Sequence, residues 1–410
     1  MADFVLLSGD DAVTFTVAAA LLLLLVLGVL ERRRNRRSLD AVPVRISVNG
    51  SRGKSTITRL LLGALSAGGR RTVGKTTGTE PKILLGWSGE EVDLERRPEG
   101  PNISEQRLVN RRAADERADA MVVECMAVDP EYQLTFHRDL MEVNLLVICN
   151  ALQDHLDVMG PTVDDVADVF AQSIPTDGTV VVVPDDYTEL YRRVATERGS
   201  QLLVADPSAV TEEQLAGFDH LVLDEHVAVA LAVTRSLGID DEVALRGMHE
   251  APVDRYAMRI LPVGDPQEPA YFVNGFAVND PTSTLAVWDH LQERALPSGE
   301  LTVIVHCRSD RVSRTELFAT DVLPKLPIDT LVITGEQTRA ILDAVAAGTI
   351  DVDDVVDLTD RPPTDAVDKL RDRLSGQIVY GIGNLHGGAT ELIAAIEDLA
   401  VDPSPTRGAA

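Results

Sequence analysis

The segment Gly50-Ser51-Arg52-Gly53-Lys54-Ser55-Thr56 contains the residue types that bind nucleotide phosphates. Glycines let backbone N–H groups approach phosphate oxygens, and a helix that begins after such a loop adds partial positive charge at its N-terminus. In loops of this kind the lysine bridges the β- and γ-phosphates, and the following serine holds Mg²⁺. We therefore predict that ATP binds here, with Mg²⁺ on the serine, through Gly50, Ser51, Arg52, Gly53, Lys54, Ser55 and Thr56.

This loop is shorter than the usual phosphate-binding pattern, which has a glycine five residues before its second glycine. Val48 occupies that position here. The alternative interpretation is a glycine-rich turn that binds no ligand. That alternative explains the two glycines but leaves the string Gly53-Lys54-Ser55-Thr56 unexplained. We therefore favour the nucleotide site.

Two further candidate ligands follow apolar runs. Glu124 comes directly after Met121–Val123, and His155 follows Asp154 in a polar segment after Leu145–Ile148. The carboxyl ends of parallel strands meet at the ligand-binding edge of a sheet, and carboxylate and imidazole groups bind metals. Taken alone, Glu124 could be a solvated strand end and the His155 segment a helix N-cap with a nearby histidine. In company with the phosphate loop, both favour a metal role.

Strands alternating with helices must position these residues, which is the pattern of an α/β domain with a mainly parallel sheet. Val44–Val48 is a predicted strand that runs into the loop, and Thr56–Ala67 is a predicted helix after it. Further predicted strands are Met121–Val123, Leu145–Ile148 and Thr179–Val183, and further predicted helices are Val163–Ala171 and His226–Ser236.

The alternation restarts after Leu261–Pro269, a stretch with the composition of a linker. Predicted strands here are Tyr271–Asn274, Leu301–His306, Thr330–Thr334 and Gln377–Tyr380. Predicted helices are Thr282–Glu293, Glu336–Ala347, Thr364–Leu374 and Ala389–Leu399. We expect a central domain over 41–265, a smaller C-terminal α/β, Rossmann-like domain over 266–400, and a disordered tail over 401–410.

Residues 12–30 carry no charged side chain and include five consecutive leucines. A helix of about 19 residues rises about 28 Å, close to the hydrocarbon thickness of a bilayer. Arginines follow the run and only acidic charges precede it, so the positive-inside rule places the N-terminus outside and the rest in the cytoplasm. A cleaved signal peptide would need basic residues before the run. We predict a membrane anchor in 1–40, with its helix at about 12–30.

The chain has 410 residues and a net charge of −27, which excludes the basic surface of a nucleic-acid-binding protein. The acidic, lysine-poor composition fits either adaptation to high salt or a coding bias toward Asp, Ala, Val and Arg. The three cysteines, Cys125, Cys149 and Cys307, are widely spaced and form no CxxC pair. This spacing indicates reduced thiols in a cytoplasmic domain.

The loop, the strand-end Glu124 and the string Asn-x-x-x-Asp-His-Leu-Asp-x-x-Gly over Asn150–Gly160 resemble the Mur ligase superfamily of amide-forming ATPases, which includes folylpolyglutamate synthetases. Longer strings are similar to the poly-γ-glutamate synthase ligase subunit (PgsB/CapB) family, and the likeness spans nearly the whole chain. Those strings are Val44–Arg59, Gly74–Thr79, Val123–Pro130, Asp154–Pro161, Ala257–Pro262, Phe272–Ala277 and Cys307–Arg311.

The resemblance implies a P-loop, Mur-ligase-type central domain and an enzyme that phosphorylates the γ-carboxyl of a glutamate with ATP. The acyl phosphate is then joined to the amine of another glutamate, building poly-γ-glutamate, a capsule polymer, at the cytoplasmic membrane face. The implied catalytic residues are Lys54, Glu124, His155 and Arg259. The metal ligands would be Ser55, Glu124 and His155, further nucleotide contacts Asp310 and Arg311, and acceptor contacts Lys75, Thr76, Thr77 and Asn274.

The implied partners are glutamate, a growing γ-glutamyl chain and a small polytopic membrane subunit, with the chain itself expected to form a homo-oligomer. Two features depart from the superfamily. No lysine lies between Lys82 and Lys325, so the carbamylated lysine of many members is absent, and Val278 stands where the family has a histidine. The alternatives are a membrane-tethered P-loop ATPase that powers transport or regulation, and a γ-glutamyl ligase acting on another acceptor.

Overall fold

The computed structural model describes residues 9–78, 81–94, 96, 100–153, 155–218, 220–278, 280–293 and 299–402. The chain divides into two compact units, Met1–Phe218 with Val222–Asp254, and Asp219–Leu221 with Arg255–Ala410. Some predictions fall outside the described residues. They concern Asp154, Thr79 at the end of one family-like string, and the predicted tail from residue 403 onward.

The first unit is built on an eight-stranded, mainly parallel sheet with the order β4-β3-β2-β5-β1-β6-β7-β8. Its strands are β1 (Val44–Asn49), β2 (Thr72–Thr76), β3 (Lys82–Leu85), β4 (Glu90–Asp93), β5 (Ala120–Glu124), β6 (Leu145–Ile148), β7 (Thr179–Val182) and β8 (Gln201–Val204). Strand β1 pairs in parallel with β5 and β6, whereas β3 pairs antiparallel with β2 and β4.

The helices of this unit cover both faces of the sheet, except for the apolar part of the first one. They are α1 (Gly9–Asp40), α2 (Lys54–Ala67), α3 (Gln106–Asp115), α4 (Pro130–Thr135), α5 (Leu156–Met159), α6 (Val163–Gln172), α7 (Thr188–Glu197), α8 (Glu212–Ala216), α9 (Asp224–Ser236) and α10 (Asp241–His249). Alternate residues of β5 enter different cores. Met121 and Val123 pack with α3 and α6, and Ala120 and Val122 pack with α2, α9 and α10. A strand buried on both faces explains the uninterrupted apolar run seen in the sequence.

Helix α1 is long and apolar enough in its Val13–Asp40 part to cross a membrane, and none of its most apolar window is buried. The prediction of a spanning helix near 12–30 is therefore compatible with the fold. The predicted helix end near residue 30 is wrong, because α1 continues without a break to Asp40.

The last turns of α1 dock on the first unit. The Asn35 side-chain amide donates to the Leu140 carbonyl at 3.0 Å, and Leu39 is 1% exposed. Arg107 of α3 pairs with Glu31 at 2.9 Å. The basic segment after the apolar run is thus part of a folded helix rather than a separate connection.

The second unit contains a six-stranded sheet with the order β13-β12-β11-β14-β10-β9. Its strands are β9 (Ile260–Val263), β10 (Ala270–Asn274), β11 (Leu301–Cys307), β12 (Ile328–Gly335), β13 (Val352–Thr359) and β14 (Ile378–Gly383). Its helices are α11 (Pro281–Glu293), α12 (Val312–Leu317), α13 (Arg339–Ala346), α14 (Asp365–Leu370) and α15 (Ala389–Glu397). The sheet is parallel except for the antiparallel pair of β9 and β10.

The linker interpretation of Leu261–Pro269 is wrong at its start. Ile260–Val263 forms β9, and Pro262 faces Tyr271 in the antiparallel pair. Because β9 is the last strand of the sheet order, the missing N–H of this proline can face away from the ladder. Prolines and glycines that resemble a linker therefore belong to an edge strand and its turn.

Candidate active site

The carboxyl ends of β1, β5 and β6 meet at the phosphate loop. In the register of the sheet, Val48 faces Glu124 on one side of β1, and Asn49 faces Ile148 on the other. The loop after β1, Glu124 at the end of β5 and the polar segment after β6 therefore lie at one edge of the sheet. This is the arrangement predicted from the order of the apolar runs.

Both glycines of the loop have backbone conformations that favour glycine. The φ angle is +123° at Gly50 and +84° at Gly53, and Gly53 is the N-cap of α2. A Cβ atom at Gly53 would lie 2.7 Å from Nε2 of His226 on α9. A larger residue at Gly53 would therefore strain the backbone and displace this ring or the loop.

The segment after β6 holds the loop in shape. The Ser51 N–H donates to the Asn150 carbonyl at 3.1 Å, and the Arg52 N–H donates to Asn150 Oδ1 at 2.9 Å. The Ser51 hydroxyl donates to the Leu152 carbonyl at 3.1 Å and accepts the Leu152 N–H at 3.0 Å. Sequence reasoning assigned this segment to a metal and did not predict that its hydrogen bonds stabilise the phosphate loop.

The Lys54 ammonium lies within the loop itself. It donates to the carbonyls of Gly50 at 2.6 Å and Ser51 at 2.9 Å. Lys54 is also the first residue of α2, where the first-turn N–H groups have no intrahelical acceptor and the helix dipole is positive. A phosphate brought to this loop would therefore meet an ammonium and several N–H donors together.

Glu124 is 5% exposed and lies beside the first turn of α2. Its Oε2 atom accepts the Ser55 hydroxyl at 2.8 Å and the Thr77 N–H at 2.9 Å. Burying a carboxylate costs free energy unless donors or cations surround it. A hydroxyl and a carboxylate oxygen in contact are also the hard donors that Mg²⁺ takes from proteins, with phosphates and waters completing its shell. Ser55 and Glu124 therefore fit a magnesium site.

A cavity of about 240 Å³ adjoins the loop, and its wall includes Lys54, Thr77, Arg96, Glu124, Met126 and His155. His155 thus shares a cavity with Glu124, as the topology argument predicted. Within the described ranges, no group of three or more His, Cys, Asp or Glu side chains could hold a metal by itself. The metal role of His155 therefore stays a prediction.

A buried polar network next to the loop was not predicted from the sequence. Asn49 accepts the Gly50 N–H at 3.0 Å and donates to Gln133 Oε1 at 2.9 Å. His137 lies 2.7 Å from the Gln133 carbonyl through Nδ1 and 3.0 Å from the Ser47 hydroxyl through Nε2. Burial lowers the pKa of His137 to about 4, so its ring is neutral near pH 7. We assign Nδ1–H as the donor to Gln133 and Nε2 as the acceptor from Ser47.

Lys75 and Thr76, which the resemblance implied as acceptor contacts, are buried behind the cavity wall. Lys75 is 0% exposed, and its ammonium lies 3.6 Å from Glu105 Oε2 and 3.6 Å from Met126 Sδ. Burial lowers the pKa of Lys75, and the neighbouring Glu105 opposes that change. Thr77 lines the cavity, so only this member of the three has a direct route to a ligand in this arrangement.

The remaining predicted site residues, Arg259, Asn274, Asp310 and Arg311, belong to the second unit. Asn274 ends β10, is 2% exposed, and donates its N–H to the Arg259 carbonyl at 3.1 Å. Asp310 accepts from Arg308 at 2.8 Å in the segment after β11. These residues gather at the carboxyl edge of their own sheet, and their nucleotide and acceptor roles stay predictions.

The three cysteines are buried. Burial raises the pKa of Cys125 and Cys149 to about 12, and that of Cys307 to about 11. A thiol must lose its proton to act as a nucleophile. The cysteines are therefore packing residues, as their apolar surroundings in the sequence predict.

Two proteins are similar to this chain over nearly its whole length. PGA synthase CapB of Bacillus subtilis (strain 168) is 44% identical over 378 residues, which covers 92% of this chain and 96% of that protein. The capsule biosynthesis protein CapB of Bacillus anthracis is 43% identical over 382 residues, covering 93% of this chain and 82% of that protein. The chain belongs to the poly-γ-glutamate synthase CapB family. The family model of the poly-γ-glutamate synthase CapB C-terminal domain matches residues 260–399, which hold all six strands of the second sheet.

Solved structures of other ligases share the fold of this CapB-family chain. E. coli FolC in complex with ADP has a TM-score of 0.66 at 15% identity, covering 90% of this chain and 93% of that one. The bifunctional folylpolyglutamate synthase/dihydrofolate synthase of Yersinia pestis, complexed with AMPPNP and Mn, has a TM-score of 0.65 at 17% identity, covering 89% and 92%. MurF of Acinetobacter baumannii has a TM-score of 0.61 at 15% identity, covering 92% and 80%.

The family and the fold that the sequence motifs implied are therefore confirmed. The chain has the Mur-ligase-type α/β fold, and its family makes it an ATP-dependent amide ligase.

Proposed function

We propose that this protein activates the γ-carboxyl of a glutamate with ATP and joins it to the amine of another glutamate, building poly-γ-glutamate. The observation that carries the proposal is that Lys54 and Glu124 line one cavity, with the Ser55 hydroxyl donating to Glu124 at 2.8 Å. Relatives that match 92% and 93% of this chain are named PGA synthase CapB and capsule biosynthesis protein CapB, which supports glutamate as the substrate.

The chemistry takes two steps. A γ-carboxylate oxygen bonds to the γ-phosphorus of ATP, while the bond from that phosphorus to the β,γ-bridging oxygen breaks and ADP leaves. The amine of the second glutamate then attacks the acyl carbon, loses a proton, and expels inorganic phosphate as the amide forms. Both steps gather negative charge in one place, so the protein contributes mainly positioning and neutralisation.

The residues of the first unit suit these tasks. Lys54 and the first-turn N–H groups of α2 hold the phosphates, and Arg52 adds a second cation at the same cavity. Asn150 fixes the loop through its carbonyl and its side chain. The Thr77 N–H keeps the Glu124 carboxylate turned toward Ser55.

A nucleotide and a divalent cation are the cofactors that this site would take. E. coli FolC holds ADP, and the Yersinia pestis enzyme holds AMPPNP with Mn. We assign Mg²⁺ to this chain, on Ser55 and Glu124, because a hydroxyl and a carboxylate suit that ion. When bound, the ion neutralises charge on the β- and γ-phosphates. We further assign His155, which faces the same cavity, to a second cation site.

The setting of the reaction is the cytoplasmic face of the cell membrane. Helix α1 supports this proposal, since it is apolar and unburied over its membrane-length part. We propose that the first unit is the ATP-binding domain and the second the C-terminal ligase domain, with the boundary near Arg255 rather than near residue 265. A small polytopic membrane subunit and a homo-oligomeric state complete the proposed assembly.

The test measures ADP formation by the full-length protein in membranes, with and without glutamate. We expect ADP formation to require glutamate, and Glu124→Gln and His155→Ala each to lower it by about 10²–10³-fold. Glu189→Gln removes an exposed carboxylate of the same unit and is the matched control. Turnover that is equally fast without glutamate would instead indicate an ATPase that powers transport.

A further inference from the structure

The cavity beside the phosphate loop has a second basic wall, away from the loop in sequence. Arg96 lines this cavity together with Thr77 and Met126. Its side chain is 22% exposed, and its Nε atom lies 3.3 Å from Glu105 Oε1. A guanidinium has five N–H donors in a planar fork. Donors beyond the one turned to Glu105 are therefore available to a ligand in the cavity.

Three charges are coupled behind this wall. Glu105 Oε2 lies 3.6 Å from the Lys75 ammonium, and Glu105 Oε1 lies 3.3 Å from Arg96. The Asn102 N–H also donates to Glu105 Oε1 at 3.2 Å, in a capping box at the turn before α3. Glu105 is thereby held in one orientation and in turn fixes the guanidinium of Arg96.

The coupled group consists of Lys75, Arg96 and Glu105. Lys75 is 0% exposed, so its charge cannot meet a ligand directly. Arg96 is the member of this group that lines the cavity and presents its positive charge there. Since charges in a partly buried site are weakly screened, an anionic group that enters the cavity is drawn to this wall as well as to the phosphate loop.

We propose that Arg96 binds the α-carboxylate of the glutamate whose γ-carboxyl is phosphorylated, and that it thereby selects the γ-amide linkage. The assignment rests on the proposed function. The terminal glutamate of a γ-linked chain has two carboxylates, and only the one that reaches the γ-phosphorus is activated. An α-carboxylate held in the fork of Arg96 leaves the γ-carboxylate for the Lys54 side of the same cavity.

The size of the cavity agrees with the binding of one carboxylate by Arg96 and of the other on the Lys54 side. Its volume is about 240 Å³, below the roughly 300–1,000 Å³ of clefts that enclose a drug-sized ligand. It therefore suits the end of a substrate, with one carboxylate and a phosphoryl group, rather than a whole nucleotide. Within this arrangement, Glu105 and Lys75 are positioning residues because they act through Arg96.

The test compares two acceptors with the full-length protein in membranes. One is a γ-linked glutamate trimer, and the other is the same trimer with an α-carboxamide on its terminal residue. ADP formation gives kcat and KM for each trimer and for ATP, and the linkage of the new bond is read from the product. We expect the wild-type protein to prefer the acid by about 10–100-fold in kcat/KM, the range of a charge-assisted hydrogen bond.

Arg96→Gln should lose this preference while its KM for ATP stays unchanged, and α-linked product should become detectable. Arg96→Lys keeps the charge without the fork and should retain part of the preference. Glu105→Gln should lower the preference by misplacing the guanidinium. Arg192→Gln, which removes an exposed arginine of the same unit, is the matched control and should keep the full preference.

Two outcomes would separate this assignment from the proposed function. A glutamate-dependent enzyme whose Arg96→Gln and Arg96→Lys variants keep the wild-type acid-to-amide ratio overturns the role of Arg96 alone. A wild-type protein that forms ADP without glutamate overturns the proposed function, and the assignment of Arg96 with it.

Discussion

Lys54 and Glu124 are the two opposite charges on which the chemistry of the cavity depends. Lys54 is held by two loop carbonyls, and Glu124 by one hydroxyl and one N–H. These partners are neutral dipoles, which compensate a buried charge less completely than an ion does. The proposed nucleotide and its divalent cation would supply the missing counter-charges, a phosphate for Lys54 and a cation for Glu124. The residues are therefore arranged for a ligand that carries both signs.

At the residue scale, Lys54→Ala should lower ATP turnover by about 10²–10³-fold, because one positioned donor to the phosphoryl charge is lost. Lys369→Ala, which removes an exposed lysine of the second unit, should leave turnover unchanged. Steady-state ADP formation and the unfolding midpoint are measured on both variants. A Lys54→Ala protein with near-normal turnover would remove the phosphate loop from the mechanism.

His137 predicts a specific loss of stability in mild acid. Burial lowers its pKa to about 4 in the folded state, whereas an unfolded histidine titrates near 6.5. The unfolded chain therefore takes up the proton first. The contribution of the neutral His137 ring to the free energy of unfolding is complete above pH 6.5 and is lost as the pH falls through 6.5 toward 4. The expected loss is roughly 3 kcal/mol.

The measurement is the free energy of unfolding from pH 7 to pH 4 for the wild-type protein and His137→Gln. The free energy of unfolding of the wild-type protein should fall more steeply than that of His137→Gln across this range. His249→Gln, at an exposed histidine whose ring contacts the Gln214 carbonyl, is the control and should follow the wild-type curve. Parallel curves for wild-type and His137→Gln would show that His137 is not buried in its neutral form.

At the scale of elements, α1 joins an apolar, unburied helix to the folded unit without a flexible connection. None of the most apolar window of α1 is buried, while the last turns of the helix pack on the unit through Asn35 and Leu39. A continuous helix transmits the orientation of its membrane part to the residues that it packs against. The distance between the end of the apolar run and the folded part of the first unit is therefore fixed by the helix.

Two truncations test whether the last turns of α1 stabilise the first unit. Deletion of residues 1–30 removes the apolar part and keeps Asn35 and Leu39, so the unfolding midpoint should stay near that of the full-length protein. Deletion of residues 1–40 removes the docked turns and should lower the midpoint by roughly 5–10 °C. Leu39→Ala in the shorter deletion is the matched point variant and should reproduce part of the loss. Equal midpoints for both deletions would mean that the docked turns do not support the unit.

The strands next to the phosphate loop were predictable from the sequence, whereas the edge strands and the interior strands β2 and β3 were not. The central strands β1, β5 and β6 are buried on both faces, so their apolar runs mark them clearly. The edge strands β4 and β13 contain Glu90, Glu91 and several aspartates, and β9 contains Pro262. Charges and prolines protect sheet edges from pairing with other chains. The same residues remove the hydrophobic pattern on which prediction depends.

The residues of the candidate active site likewise divide into those that the sequence predicted and those that it did not. Lys54, Ser55 and Glu124 were predictable because their chemistry requires particular residue types after particular strands. Arg96, Glu105 and His137 were not, because their partners are distant in the sequence and no motif connects them. Lys75 was assigned to the acceptor from family likeness; the structure shows it buried against Glu105, and its acceptor role stays a prediction. Contacts between distant segments are what the sequence alone leaves open.

At the scale of the whole molecule, the chain combines an apolar N-terminal helix, a phosphate-loop unit and a second α/β unit that the CapB C-terminal family model matches. The net charge of −27 makes this a strongly acidic protein acting on acidic substrates. Long-range repulsion of such substrates is screened within about 8–10 Å at physiological salt. Local cations at the cavity, namely Lys54, Arg52 and Arg96, are therefore what must attract them.

The central claim is that a glutamate carboxylate attacks the γ-phosphate of ATP in this active site. It is tested by supplying glutamate labelled with ¹⁸O in its γ-carboxyl group to the full-length protein in membranes, with ATP. The account predicts that one labelled oxygen is transferred to inorganic phosphate for each amide formed, with ADP as the other product. Unlabelled phosphate, or label found in AMP, would contradict the acyl-phosphate mechanism.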